Sequence, residues 1–138
     1  MRWLAYVLIA LVWFGCGASQ RQTQAAVADG IASGANASLP MLLAAYKAEG
    51  DGVIERSKDR AEAELGLTSV RERWAPVWQA WEGFRVAHGA WASALEAGGD
   101  LTATLEALKG AYCEVEHVWP SELPALPAVP ITCPKEAS

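Results

Sequence analysis

The chain has 138 residues, a formal net charge of −5 and 52% apolar residues, much of that fraction alanine. That is enough for one domain with a closed core, in which large aromatic side chains supply much of the burial. Acidic and basic residues interleave without a basic block, which excludes the electrostatic footprint of a nucleic-acid-binding surface.

Met1 to Gly15 carries one charge, Arg2, and then an unbroken apolar run from Trp3 to Gly15. As a helix that run reaches only about 20 Å, short of the roughly 30 Å hydrocarbon core of a bilayer. Polar residues from Ser19 to Gln24 follow at once, so the pattern predicts a secretory signal peptide over 1–15 rather than a membrane span. The Gly15-Cys16 junction resembles that of a bacterial lipoprotein precursor, in which a small residue precedes a cysteine that is acylated and becomes the mature N-terminus. Trp13 and Phe14 depart from the aliphatic and small residues that this family places there. The resemblance implies lipidation at Cys16 and membrane attachment through the lipid. With Gly17 after the cysteine, it also implies outer-membrane sorting, facing the periplasm, in a double-membraned bacterium. The polar run suits a flexible tether over 16–24. The alternative is ordinary cleavage after Ala18, with Cys16-Gly17-Ala18 as a small-x-small site.

Residues 25–119 read as the helical body. From Gln22 to about Ser57, Val27, Ile31, Ala35, Leu39, Leu42, Tyr46 and Val53 fall near one helix face. Pro40 predicts a kink or a split, with Ser38 as the cap of a second segment. Ala25, Ala26, Ala28, Ala32, Ala35 and Ala37, with Gly30 and Gly34, predict close approach by a helix carrying large side chains, which pairs this segment with the tryptophan-rich stretch that follows.

The run Glu55 to Glu64 alternates sign and reads as a solvated turn or helix surface. Beyond it, Ala63, Leu67, Val70, Trp74, Val77, Trp81, Phe84, His88, Trp91 and Leu95 alternate spacings of four and three without a slip. One apolar stripe with a single polar member predicts a long helix from about Asp59 to Ala97, near 55 Å in length and kinked near Pro76. Gly66, with Ser69 and Glu72 after it, offers a competing break, but the stripe keeps its phase across it. Gly98-Gly99-Asp100 predicts a true break, followed by a helix through Leu101, Leu105, Leu108, Tyr112, Val115 and Trp119 that Pro120 ends.

The tail, 120–138, has a three-residue period in Leu123-Pro124-Ala125, Leu126-Pro127-Ala128 and Val129-Pro130-Ile131. Proline fixes φ and removes the amide donor, which predicts polyproline II with Leu123, Leu126 and Val129 on one edge, lying along the helices as a strap. Once Cys16 is acylated or removed, two cysteines remain, and in an oxidising compartment Cys113 and Cys133 read as a disulfide. Closing a loop of that size is worth about 3 kcal/mol in the chain-entropy model.

Candidate chemistry is sparse. Cys113 and His117 stand at a spacing that can share a metal, but without a second pair, and a disulfide consumes the thiol, so no metal site is assigned. His88 within the stripe is a general base or pH sensor on one reading and a satisfied core histidine on the simpler one. Trp78 stands one place off the stripe and widens it. Trp74, Trp78, Trp81, His88 and Trp91 thus form a candidate binding face for a sugar ring or apolar ligand, although such faces more often pack against a partner helix. Catalytic triads, phosphate-cradling glycine loops and cofactor motifs are absent from the sequence, so no cofactor or catalytic residue is assigned.

The sequence therefore predicts an all-α protein: an antiparallel helical hairpin or three-helix bundle with a proline-rich C-terminal strap pinned by a disulfide. The function it suggests is a lipid-anchored, non-enzymatic structural or interaction module of the cell envelope, with another envelope protein as partner. The alternatives are a ligand-binding protein that uses the tryptophan face, and a phage-type lysis lipoprotein. The last rests on composition, since a proline-rich tail on a small lipoprotein resembles the outer-membrane subunit of phage spanins.

Overall fold

A computed structural model describes the backbone of residues 2–134 and the side chains of residues 20–134. The protein is all-helical: α1 spans Arg2–Arg56, α2 Arg60–Glu96 and α3 Thr102–His117, with no strand among the described residues. Each helix touches the other two. The side chains of the expected signal peptide and of Cys16 lie outside the described residues, as do residues 135–138 of the tail.

α1 differs from expectation at two places. Residues 16–24 continue the helix, where their polar composition predicts a tether. Gln20, Arg21, Gln22 and Gln24 are good helix formers, and polarity alone does not break a helix. Two of them also reach across the molecule: Arg21 Nη1 donates to the carbonyl of Gly98, and Gln24 Nε2 to the hydroxyl of Thr102, each at 3.4 Å. Pro40 neither splits nor caps the helix. The carbonyl that it leaves without a donor belongs to Asn36, and both residues are exposed, so water can satisfy it. Ser38, available in sequence as a cap, is instead buried and donates its hydroxyl to the carbonyl of Gly34 at 2.8 Å.

Three residues connect α1 to α2. Asp59 is the N-cap, its carboxylate accepting from the amide of Glu62 at 2.9 Å, while the Glu62 carboxylate accepts from the amide of Lys58 at 2.9 Å. The charge alternation of this run thus hides a capping arrangement like a capping box, with the return bond taken by the amide of Lys58 and not by that of the N-cap. α2 runs unbroken through Gly66 and Pro76, and Pro76 and Glu72 both lie at the surface. At its other end Gly98 adopts φ +70°, its amide donating to Leu95 and that of Gly99 to Ala94. This is a Schellman motif, in which only glycine takes the left-handed position without strain. Asp100 then accepts from the amide of Thr102 at 2.8 Å, which holds its carboxyl below the ordinary value.

Contacts between α1 and α2 step down one helix as they step up the other. Val53 faces Gly66, Gly50 faces Leu67, and Tyr46 meets Trp74 and Trp78. The core is divided in two. One cluster joins Ala28, Ile31 and Ala35 of α1, Phe84 and Trp91 of α2, and Leu105, Leu108, Tyr112 and Val115 of α3. The second joins Leu42 to Val70, Trp74 and Val77, with Trp78, Val118 and Leu123 against it. Trp81 and Trp119 touch both.

After α3 the chain turns back, the amide of Leu123 donating to the carbonyl of Pro120 at 3.1 Å. Leu123, Leu126 and Val129 are half-buried, and Leu126 and Val129 pack on the first core cluster. The expected approach of the stripe to the small residues of α1 is met at Ala28 and Ala35, which share a core cluster with Phe84 and Trp91, but the glycines have a different neighbour. A Cβ on Gly30 would come 3.0 Å from the Pro130 ring, and one on Gly34 would come 2.7 Å from Val129. The glycines make room for the C-terminal segment and not for the tryptophan stripe, because prolyl rings and a β-branched side chain must come up to the α1 backbone.

Candidate functional site

The periodic spacing of α2 stacks its aromatic side chains one above another, since residues three and four apart share a face. Trp74 and Trp78 stack with centroids 6.2 Å apart, and the ring of Tyr46 from α1 meets each edge-on at 5.6 Å. Further along, Phe84, His88 and Trp91 form a second stack, with His88 6.2 Å from Phe84 and 6.4 Å from Trp91. Tyr112 of α3 closes on Phe84 edge-on at 6.3 Å. Trp81 stands between the stacks, tilted against Phe84 at 5.8 Å.

This geometry sorts the candidate face. Trp74 and Trp91 are 5% and 3% exposed, so their rings are spent on packing. Trp78, Trp81 and His88 are half-buried, so part of each ring is open to a ligand. A surface cleft of about 380 Å³ lies between α2 and α3 beside Pro76, Gly83 and Ala111. Another, of about 540 Å³, opens beside Lys109, Cys113 and Thr132.

Polar partners on the aromatic face are unequal. Trp74 donates its indole N–H to Glu49 of α1 at 2.6 Å, and the same carboxylate pairs with Arg73. The indole N–H of Trp91 is buried with no hydrogen-bond partner. Glu49 is the residue that periodicity misses, although it stands between Tyr46 and Val53 on the apolar side of α1. A carboxylate at the edge of an apolar face is the one signal that could have found it.

Cys113 and Cys133 form a disulfide, with Cα atoms 5.4 Å apart. Cys113 is thus no thiolate ligand, and the Cys113/His117 metal alternative loses its sulfur. Glu116 lies near the same pair of sulfurs at the surface. Chemically, the arrangement offers stacked rings, one engaged carboxylate and a covalent clasp. No protein-family model, curated protein or solved structure matches the chain.

Proposed function

We propose that this is an exported, lipid-anchored helical protein of the cell envelope that acts as a structural or interaction module. In this reading α1 and α2 form an antiparallel hairpin, α3 completes a three-helix bundle, and the proline-rich tail is a strap across α1 and α3. The observation that carries the reading is the Cys113–Cys133 disulfide. Disulfides persist in oxidising compartments, which is where the Gly15-Cys16 junction would send the chain. Consumption of the large aromatic side chains in packing supports a scaffold over a catalyst.

Intact mass of the membrane-extracted protein tests the anchoring. The expected species is a diacylglyceryl-modified chain beginning at Cys16, and an unmodified soluble chain beginning at Ser19 would favour ordinary secretion.

A second reading, a ligand-binding face, is favoured by one observation: Trp78 is half-buried yet stacked on buried Trp74. It predicts that Trp78→Ala leaves a folded protein that no longer retains its envelope partner or glycan. A scaffold predicts no binding loss from that change.

A further inference from the structure

The C-terminal segment meets the helices in the manner of a bound proline-rich ligand. Trp119 donates its indole N–H to the carbonyl of Pro124 at 3.0 Å, and the Tyr112 hydroxyl reaches the carbonyl of Pro127 at 3.4 Å. The two donors stand seven residues apart, Tyr112 within α3 and Trp119 two residues past its end. The two acceptors stand three residues apart, about 9.3 Å along polyproline II. Aromatic donors aimed at prolyl carbonyls, with an apolar residue inserted at every third position, are the chemistry by which proline-rich peptides are recognised. Gly30 and Gly34 complete the fit by removing the side chains that would collide with Pro130 and Val129.

We propose that the seam between α1 and α3 is a recognition groove for an extended proline-rich segment, filled in cis by residues 123–131 and able to take that segment from a second copy of this chain. The proposal rests on the strap reading above. The seated contacts are made by Gly30 and Gly34 of α1, by Tyr112 of α3 and by Trp119 just past its end, and the chain leading to them, Pro120 to Leu123, is a single turn. Each copy carries both the groove and its occupant, so exchange needs no new surface. The covalent clasp would then join Cys133 of one copy to Cys113 of the other.

Two full-length variants in a Cys16→Ser background test this. One, with Cys113→Ser, keeps Cys133 and supplies the tail. The other, with Cys133→Ser and Leu126→Asp, keeps Cys113 and has a weakened tail of its own, so its groove is open. They are mixed with oxidised glutathione. One thiolate displaces a glutathione thiolate to form a mixed disulfide, the second thiolate displaces the other, and the two electrons and two protons end on two glutathione thiols. The expected product is a heterodimer joined through Cys133 and Cys113, identified by non-reducing peptide mapping and exceeding both homodimers. Adding Gly34→Leu to the groove copy, or moving Leu126→Asp to the tail copy, should lower its yield by about tenfold. An excess of synthetic peptide covering residues 120–134, with serine in place of Cys133, should compete. A yield indifferent to Gly34→Leu, to the position of Leu126→Asp and to the peptide marks collision of thiols and overturns the proposal, including where an emptied groove has unfolded the copy. That outcome leaves the acylation test of the proposed function untouched.

Discussion

Trp74 on α2 and Glu49 on α1 are joined by an indole-to-carboxylate hydrogen bond of 2.6 Å at the edge of the second core cluster. Glu49 also pairs with Arg73, so one carboxylate holds two neighbouring residues of the facing helix. A hydrogen bond to a charged group contributes about 1.5–3 kcal/mol, and removing the acceptor strands the donor. Glu49→Ala should therefore cost about 1–3 kcal/mol of stability, and Trp74→Ala about 3–5 kcal/mol. In denaturant melts of the single and double variants, the double should cost less than the two singles together. Strict additivity would show that the bond contributes nothing to the fold.

Trp91 presents the opposite case, a buried indole whose N–H has no partner. Trp91→Phe removes that donor and keeps most of the ring, so its cost should be small beside the roughly 3–5 kcal/mol of Trp91→Ala. Thermal melts of the pair check the contrast. If phenylalanine costs as much as alanine, the indole nitrogen has a partner in solution.

The glycines of α2 should respond with opposite signs to the same substitution. A Cβ on Gly66 would come 2.5 Å from Val53 of α1, whereas one on Gly83 meets nothing within 4 Å. Gly83→Ala should stabilise the protein by up to about 1 kcal/mol through helix propensity. Gly66→Ala gains the same propensity but should lose about 1–3 kcal/mol to overpacking, and Val53→Ala in the same chain should restore part of it. Chemical denaturation of the four variants reads both signs.

Burial, and secondarily the carboxylate of Glu116, raise the Tyr112 phenol above its ordinary 10.0. The neutral form is the one that the fold accepts. Its contribution is fully present below the unfolded value and is lost as pH rises through the raised folded value. Stability should therefore begin to fall above a pH of about 10. Tyr112→Phe should flatten that limb of the stability curve, at the cost of the hydroxyl contact to Pro127. An unchanged alkaline limb in the phenylalanine variant would assign the loss to another group.

What could be read from the residues alone followed from chain-local period. Val70, Trp74, Val77, Phe84 and Trp91 are buried at the positions where spacing of three and four puts them. The all-helical class and the cysteine pair were legible for similar reasons, one from periodicity and the other from an even count. The same logic failed where a residue answers to something distant in sequence. Ala28 and Ala35 do meet the stripe at Phe84 and Trp91, but the neighbours of Gly30 and Gly34 are Pro130 and Val129, about a hundred residues on. Ser38 looked like a cap because the sequence does not reveal that its face is buried. Glu49 carried no motif, and its role comes from Trp74, twenty-five residues away. Asp59 and Glu62 carry a local signal, three residues apart, that the alternating charges around them disguise.

The division of the core into two clusters makes the molecule unequal along its length. Around Tyr112 the packing draws on three helices, and a covalent link lies one residue away at Cys113. Towards the turn at Ser57 to Asp59, only α1 and α2 face each other, and Ile54 and Leu65 beside it are 55% and 74% exposed. Amide protection should grade accordingly, lowest at that turn and highest in α3 and the stretch of α2 opposite it. Transient opening would then proceed as a zipper from the turn inward, parting Tyr46 from Trp74 and Trp78 first and halting at Trp81, whose ring belongs to both clusters.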